Sequence, residues 1–167
     1  MRALGVDPGT AITGWGVVDL DDNGQDLHLV AYGAITTPAK TPLPDRLTTI
    51  FDELTAIIAQ HQPDTAALEV LFFSRNTTTA LSVGHGRGAA MLAMAKAGLD
   101  IAEYKPLEIK QAVVGYGGAD KGQVQRMVKL LLELEDIPKP DDAADGLAIS
   151  ICHLHSMRLK ILMDQQA

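Results

Sequence analysis

Cysteine is nearly absent: Cys152 stands alone in 167 residues, so no internal disulfide can form and nothing calls for an oxidising compartment. Aromatic residues make up only 4%, and no run of about 18 apolar residues occurs anywhere, which argues against a membrane-spanning helix. The first nine residues, Met-Arg-Ala-Leu-Gly-Val-Asp-Pro-Gly, put an aspartate and a proline where a secretory leader carries its apolar segment. A cytoplasmic protein with no membrane partner is expected. A basic excess is missing too: 14 Lys and Arg against 21 Asp and Glu leave a net charge of −7. A generic polyanion binder is therefore excluded unless basic residues are concentrated locally.

They are concentrated. Residues 1–74 carry three basic and ten acidic side chains, whereas residues 75–129 carry eight basic (Arg75, Arg87, Lys96, Lys105, Lys110, Lys121, Arg126 and Lys129) against four acidic. At 47% hydrophobic the composition is that of a globular chain, and its length fits one domain over 1–167.

The hydrophobic pattern predicts a short strand over 2–7 stopped by Asp7-Pro8-Gly9, a second over 13–20, and a third over 27–36 after a tight turn at Asp21-Asp22-Asn23-Gly24. These form an antiparallel meander. From Pro44 the period becomes helical, with Leu47, Ile50, Phe51, Leu54, Ile57 and Ile58 on one stripe until Pro63. A strand over 65–71, a helix over 77–97, a strand over 99–104 and a short helix over 107–114 follow. Asp120 is placed to cap a helix over 121–134, and a last helix starts near Asp141 and runs to about residue 160. The expected class is α/β: a mixed sheet, three strands antiparallel and the later ones parallel, flanked by helices.

Asp7 and Glu69 each fall at the C-terminal end of a predicted strand, the edge where open α/β sheets gather ligands. Glu69 lies inside the apolar run Ala66-Ala67-Leu68-Glu69-Val70-Leu71, where an unpartnered charge is costly and a metal or counter-charge is the usual remedy. The last helix opens Asp141-Asp142-Ala143-Ala144-Asp145. At about 100° per residue, Asp145 shares a face with either Asp142 or Asp141, and spacing does not choose between them. Acids in a first helical turn also complement the helix dipole. Brought together, four carboxylates from three elements repel unless divalent cations join them, and two such ions clamp an in-line phosphoryl displacement. Lys121, beside Gly117 and Gly118 at a helix N-terminus, is suited to a phosphate. Phe72 and Phe73, with Arg75 close behind, start a loop from which an aromatic ring can stack on unpaired bases or wedge a junction. Gly84 and Gly88 suit close helix packing and a self-complementary dimer contact. His153 and His155 lie too far along the final helix to join the acids, and are read as structural or surface residues.

These residues together resemble the RuvC family of Holliday junction resolvases. The likeness rests on four ordered motifs: Gly5-Val6-Asp7-Pro8-Gly9-Thr10 with Thr13-Gly14-Trp15-Gly16-Val17; Leu68-Glu69-Val70-Leu71-Phe72; Gln111-Ala112-Val113-Val114-Gly115 with Asp120-Lys121-Gly122-Gln123-Val124-Gln125; and Asp142-Ala143-Ala144-Asp145-Gly146-Leu147-Ala148-Ile149. The resemblance implies an RNase H-like fold and a structure-specific endodeoxyribonuclease that nicks two strands symmetrically across a four-way junction, leaving 5′-phosphate and 3′-hydroxyl ends. It implies Asp7, Glu69, Asp142 and Asp145 as catalytic metal ligands, so Asp142 rather than Asp141. Lys121 is implied in catalysis, and Lys110 and Lys121, with Phe72, Phe73 and Arg75, in DNA contact. Two Mg²⁺ per subunit, with Mn²⁺ as substitute, a homodimer and a branch-migration helicase partner are implied as well. The Asp7-Pro8-Gly9-Thr10 turn also resembles the phosphate loop of actin-like ATPases, but those close two such domains on a nucleotide, and 167 residues leave room for one.

Overall fold

The computed structural model describes residues 1–70 and 77–164. Its elements are β1 (Arg2–Asp7), β2 (Ile12–Leu20), β3 (Leu27–Thr36), α1 (Leu43–His61), β4 (Thr65–Glu69), α2 (Thr77–Lys96), β5 (Asp100–Tyr104), α3 (Pro106–Val114), α4 (Lys121–Leu131) and α5 (Asp141–Asp164). The five strands form one sheet in the order β3-β2-β1-β4-β5. The β1–β2 and β2–β3 pairs are antiparallel, and β1–β4 and β4–β5 are parallel. The expected mixed sheet is thus present.

Period-two alternation assigns each strand residue to one of two cores. Leu4, Val6, Val17, Ala66 and Leu68 point to the layer of α1 and α2, where they meet Ile50, Leu54, Ala90 and Met94. Ala3, Val18 and Ala67 point to the other layer, against Val113, Val128, Leu147, Ile151 and Leu154 of α3, α4 and α5. Each fully buried Leu or Ile contributes about 1.5–3 kcal/mol, so both layers fix the sheet.

The helix α5 lies unusually close to the sheet because glycines face it. A Cβ on Gly146 would sit 2.7 Å from the backbone of Trp15, one on Gly16 would sit 2.7 Å from the Leu147 nitrogen, and one on Gly14 would overlap the Asp142 carbonyl. Any side chain there would push the helix, with its acidic first turn, away from β1 and β2.

Local signals act as expected at several boundaries. Asp120 caps α4, its carboxylate accepting from the Gln123 N–H at 2.8 Å while Gln123 reaches back to the Asp120 N–H at 2.8 Å. Gly24 takes φ +68° in the β2–β3 turn, and Asp21 accepts from the Gln25 N–H at 2.7 Å.

Other boundaries move. The helix expected over 121–134 ends at Leu131, because Glu133 adopts a left-handed φ of 51° that no glycine announced. The strand expected over 65–71 ends at Glu69, and α5 continues to Asp164 rather than to about 160. No helix among the described residues is long and apolar enough to cross a membrane.

Candidate active site

Val6 faces Leu68 in the parallel β1–β4 register, so the next residues, Asp7 and Glu69, stand side by side where the two strands end. Alternation sends both side chains to one face. Asp7 follows Ala3 and Gly5, and Glu69 follows Ala67, all toward the α5 layer. On the other side of β1, Asp7 pairs with Gly14, and the bare Cα of Gly14 is where the Asp142 backbone comes down. The first turn of α5 is thereby pressed against Asp7.

The charges register this crowding. The Asp7 carboxyl is pushed up to about 7 by burial first, then by the negative charges of Asp145, Glu69 and Asp142, with Lys121 opposing them. Glu69 is raised by burial and by Asp145, with Lys110 pulling the other way. Asp145 is raised by burial in spite of its bond to Lys121. Burial works against the Lys121 ammonium, but Asp145 and its neighbours hold the proton more firmly than on an ordinary lysine.

Lys121, at the start of α4, places Nζ 3.0 Å from Asp145 Oδ2 and 3.6 Å from Asp141 Oδ2. Asp141 has a side chain 63% exposed, against 29% for Asp145, and is not among the charges acting on Asp7. Helical spacing had left Asp141 and Asp142 equivalent; the packing of α5 turns Asp142 inward and Asp141 to solvent and to Lys121. A cleft beside the acids is lined by Glu69, Lys110, Lys121 and Asp145 with apolar Ile109 and Val124. Asp7, Glu69, Asp142, Asp145, Lys110 and Lys121 are thus in one neighbourhood. Phe72, Phe73 and Arg75 lie outside the described residues.

The acids are neighbours in charge without forming a closed cage. Among the described residues no three acidic, histidine or cysteine side chains already converge as a ligand set. Hard oxygen donors under a surplus of negative charge are the chemistry that suits Mg²⁺ or Mn²⁺ rather than a soft metal.

Further side chains tie distant elements together. His153 is buried, bonded to Thr65 Oγ1 and Tyr104 OH at 2.9 Å each, so its structural reading holds and its surface reading does not; His155 contacts the Ala112 carbonyl at 3.1 Å. Arg87, counted with the basic middle of the chain, donates from its guanidinium to the main-chain carbonyl of Glu69. The available signal was an arginine within the apolar, small-residue sequence of a helix.

The chain matches the family described as Crossover junction endodeoxyribonuclease RuvC over residues 3–153. A protein of that name from Chloroflexus aggregans is 60% identical over 156 residues, covering 93% of this chain and 94% of that one. Its namesake from Heliobacterium modesticaldum is 57% identical over 157 residues, covering 94% and 96%. Among solved structures, T. thermophilus RuvC in complex with a Holliday junction substrate superimposes with a TM-score of 0.90 at 32% identity, covering 96% of each chain.

Proposed function

We propose a junction-resolving function from a plain premise: the chain belongs to the RuvC family of crossover junction endodeoxyribonucleases and has its RNase H-like fold. The protein is a nuclease that resolves four-way DNA junctions, and the whole chain is read as one nuclease domain. The observation that carries the reading is the meeting of Asp7 and Glu69 at two parallel strand ends under the acidic first turn of α5.

In this proposal Asp7, Glu69, Asp142 and Asp145 would hold two Mg²⁺ per subunit, with Mn²⁺ as substitute. When bound, the ions supply Lewis acidity at the phosphoryl oxygens. The protein's own groups do the remainder. Lys121 and Lys110 border the cleft beside the acids and bring positive charge to the scissile phosphate. Lys121 already bonds Asp145, so its ammonium is held where charge grows in the transition state. Water adds to phosphorus, the bond to the 3′-oxygen breaks, and that oxygen takes up a proton. The products are a 5′-phosphate and a 3′-hydroxyl.

A homodimer gives the symmetry that two matched nicks require. Its support is a shallow apolar groove between α1 and α2, lined by Leu47, Phe51, Gly84, Gly88, Ala89 and Leu92. Leu92 is 55% exposed, and Gly84 and Gly88 face open space. Arg75 and one of the two rings, Phe72 or Phe73, are proposed to touch the unpaired centre of the junction. A cytoplasmic location and a branch-migration helicase partner complete the reading on family likeness.

The test is a labelled synthetic four-way junction beside a matched linear duplex, each with and without Mg²⁺. Paired, symmetric, Mg²⁺-dependent nicks on the junction alone are expected. Equal cutting of the duplex would reduce the protein to a general nuclease.

A further inference from the structure

The catalytic face of the sheet belongs to α5, but the strand ends are also held from the opposite layer. Helix α2 packs there, and Gly86 lets it approach closely: a Cβ at that position would be 3.0 Å from the Thr10 nitrogen and 3.1 Å from the Gly9 carbonyl carbon. The Thr10 hydroxyl donates to the Ser82 carbonyl. The loop that follows Asp7 is therefore tied to α2. One residue beyond Gly86, Arg87 ties the other strand. One guanidinium nitrogen donates to the main-chain carbonyl of Glu69, and another meets the Glu103 carboxylate of β5 at 2.5 Å. The Arg87 side chain is only 11% exposed, so the guanidinium is sheltered while its carboxylate partner reaches solvent.

We propose that Arg87 is a positioning residue for the cation site: bridging Glu69 and Glu103, it fixes the last peptide of β4 so that the Glu69 carboxylate stays beside Asp7. A fixing device is needed there because the carboxylates of Glu69, Asp145 and Asp7 repel one another, and Glu69 is the final residue of its strand. A charge-assisted hydrogen bond to the carbonyl resists that displacement without adding a positive charge among the carboxylates themselves. The planar fork matters. Lysine, with a single nitrogen, cannot reproduce two divergent contacts in fixed geometry. The inference rests on the reading of Glu69 as a cation ligand.

The experiment is a Mn²⁺ titration followed by the rise in melting temperature of the DNA-free protein, with junction affinity in EDTA and single-turnover cleavage measured alongside. Misplacing a ligand by about 1 Å costs on the order of 10²-fold in rate; Arg87→Lys is expected to lower cleavage by about that factor and to raise the Mn²⁺ midpoint about tenfold. Junction affinity in EDTA should stay within about threefold, since the phosphate-binding cations are untouched.

Glu103 is 43% exposed, so Glu103→Ala carries the test if Arg87→Lys does not fold. Its Mn²⁺ midpoint should rise severalfold, whereas Glu103→Gln, which keeps an acceptor, should restore the parent value. A purely structural role would lower the melting temperature in EDTA and leave the metal midpoint alone; that result in folded Arg87→Lys or Glu103→Ala overturns the inference. Absence of any Mn²⁺ effect on the parent would instead sink the cation reading, and the inference with it.

Discussion

Replacing Asp7 with asparagine should make the metal-free protein more stable while abolishing its cleavage. The Asp7 carboxyl is held at about 7 against an ordinary 3.8. A raised acid binds its proton more tightly in the folded state than in the unfolded one. Its contribution to stability is therefore full below about pH 4 and is lost as pH rises through about 7. At about 1.4 kcal/mol per pH unit, the ionised group costs the fold up to about 4 kcal/mol at pH 8. Solvent reaches part of the side chain, which reduces this to about 2–3 kcal/mol. Asparagine keeps the shape and removes the charge, relieving Glu69 and Asp145 as well.

For a chain of this size the gain corresponds to a melting temperature about 5–10 °C higher. The assay is thermal unfolding in EDTA at pH 6, 7 and 8, repeated with Mn²⁺. The advantage of Asp7→Asn should grow from pH 6 to 8 and shrink or reverse once Mn²⁺ stabilises the parent. An Asp7→Asn protein that melts no higher than its parent at pH 8 in EDTA would refute the claim that burial and neighbouring negative charge hold the Asp7 carboxyl up.

Lys121→Gln should lower single-turnover junction cleavage about 10²–10³-fold, the range for removing one donor that stabilises transition-state charge; a loss below about fivefold would remove Lys121 from the chemistry. Gly146→Ala should destabilise the fold by about 3 kcal/mol or more, because its Cβ meets the Trp15 backbone. Gly84→Ala, in a helix with open space around that position, should raise stability by about 0.5–1 kcal/mol; urea denaturation of both distinguishes close packing from mere helix preference. Burial holds the His153 ring below the ordinary histidine range, so its contribution to stability is present above about pH 6.5 and is lost as pH falls through its folded value. His153→Gln should cost about 1–3 kcal/mol at pH 7 and should lose less stability than the parent on going from pH 7 to 5. Equal losses in the two proteins would show that His153 does not carry the acid sensitivity.

Much of the frame was legible because its signals are local. The stripe of Leu47, Ile50, Leu54 and Ile58 makes α1, the Asp120 and Gln123 pair starts α4, and the turn at Gly24 closes the first hairpin. Boundaries set by tertiary contact were less visible. Glu133 enters the left-handed region without a glycine, so α4 stops three residues early. Gly84 and Gly88 face outward from the subunit, where the dimer contact expected of them would lie, while Ala90, Ala93 and Met94 fill the core.

The site divides in the same way. Residue types and their order alone placed acids at two strand ends and in a first helical turn, and brought Lys121 to a helix start, because charge, periodicity and turn chemistry are properties of neighbouring residues. Helical spacing did not say whether Asp141 or Asp142 faces Asp7; the family resemblance implied Asp142, and the physical reason is the bare Gly14, which lets α5 settle on the sheet. The hold of Arg87 on Glu69, 18 positions away, was invisible until two layers packed. Contacts between residues distant along the chain depend on how closely backbones can approach, and no local pattern encodes that distance.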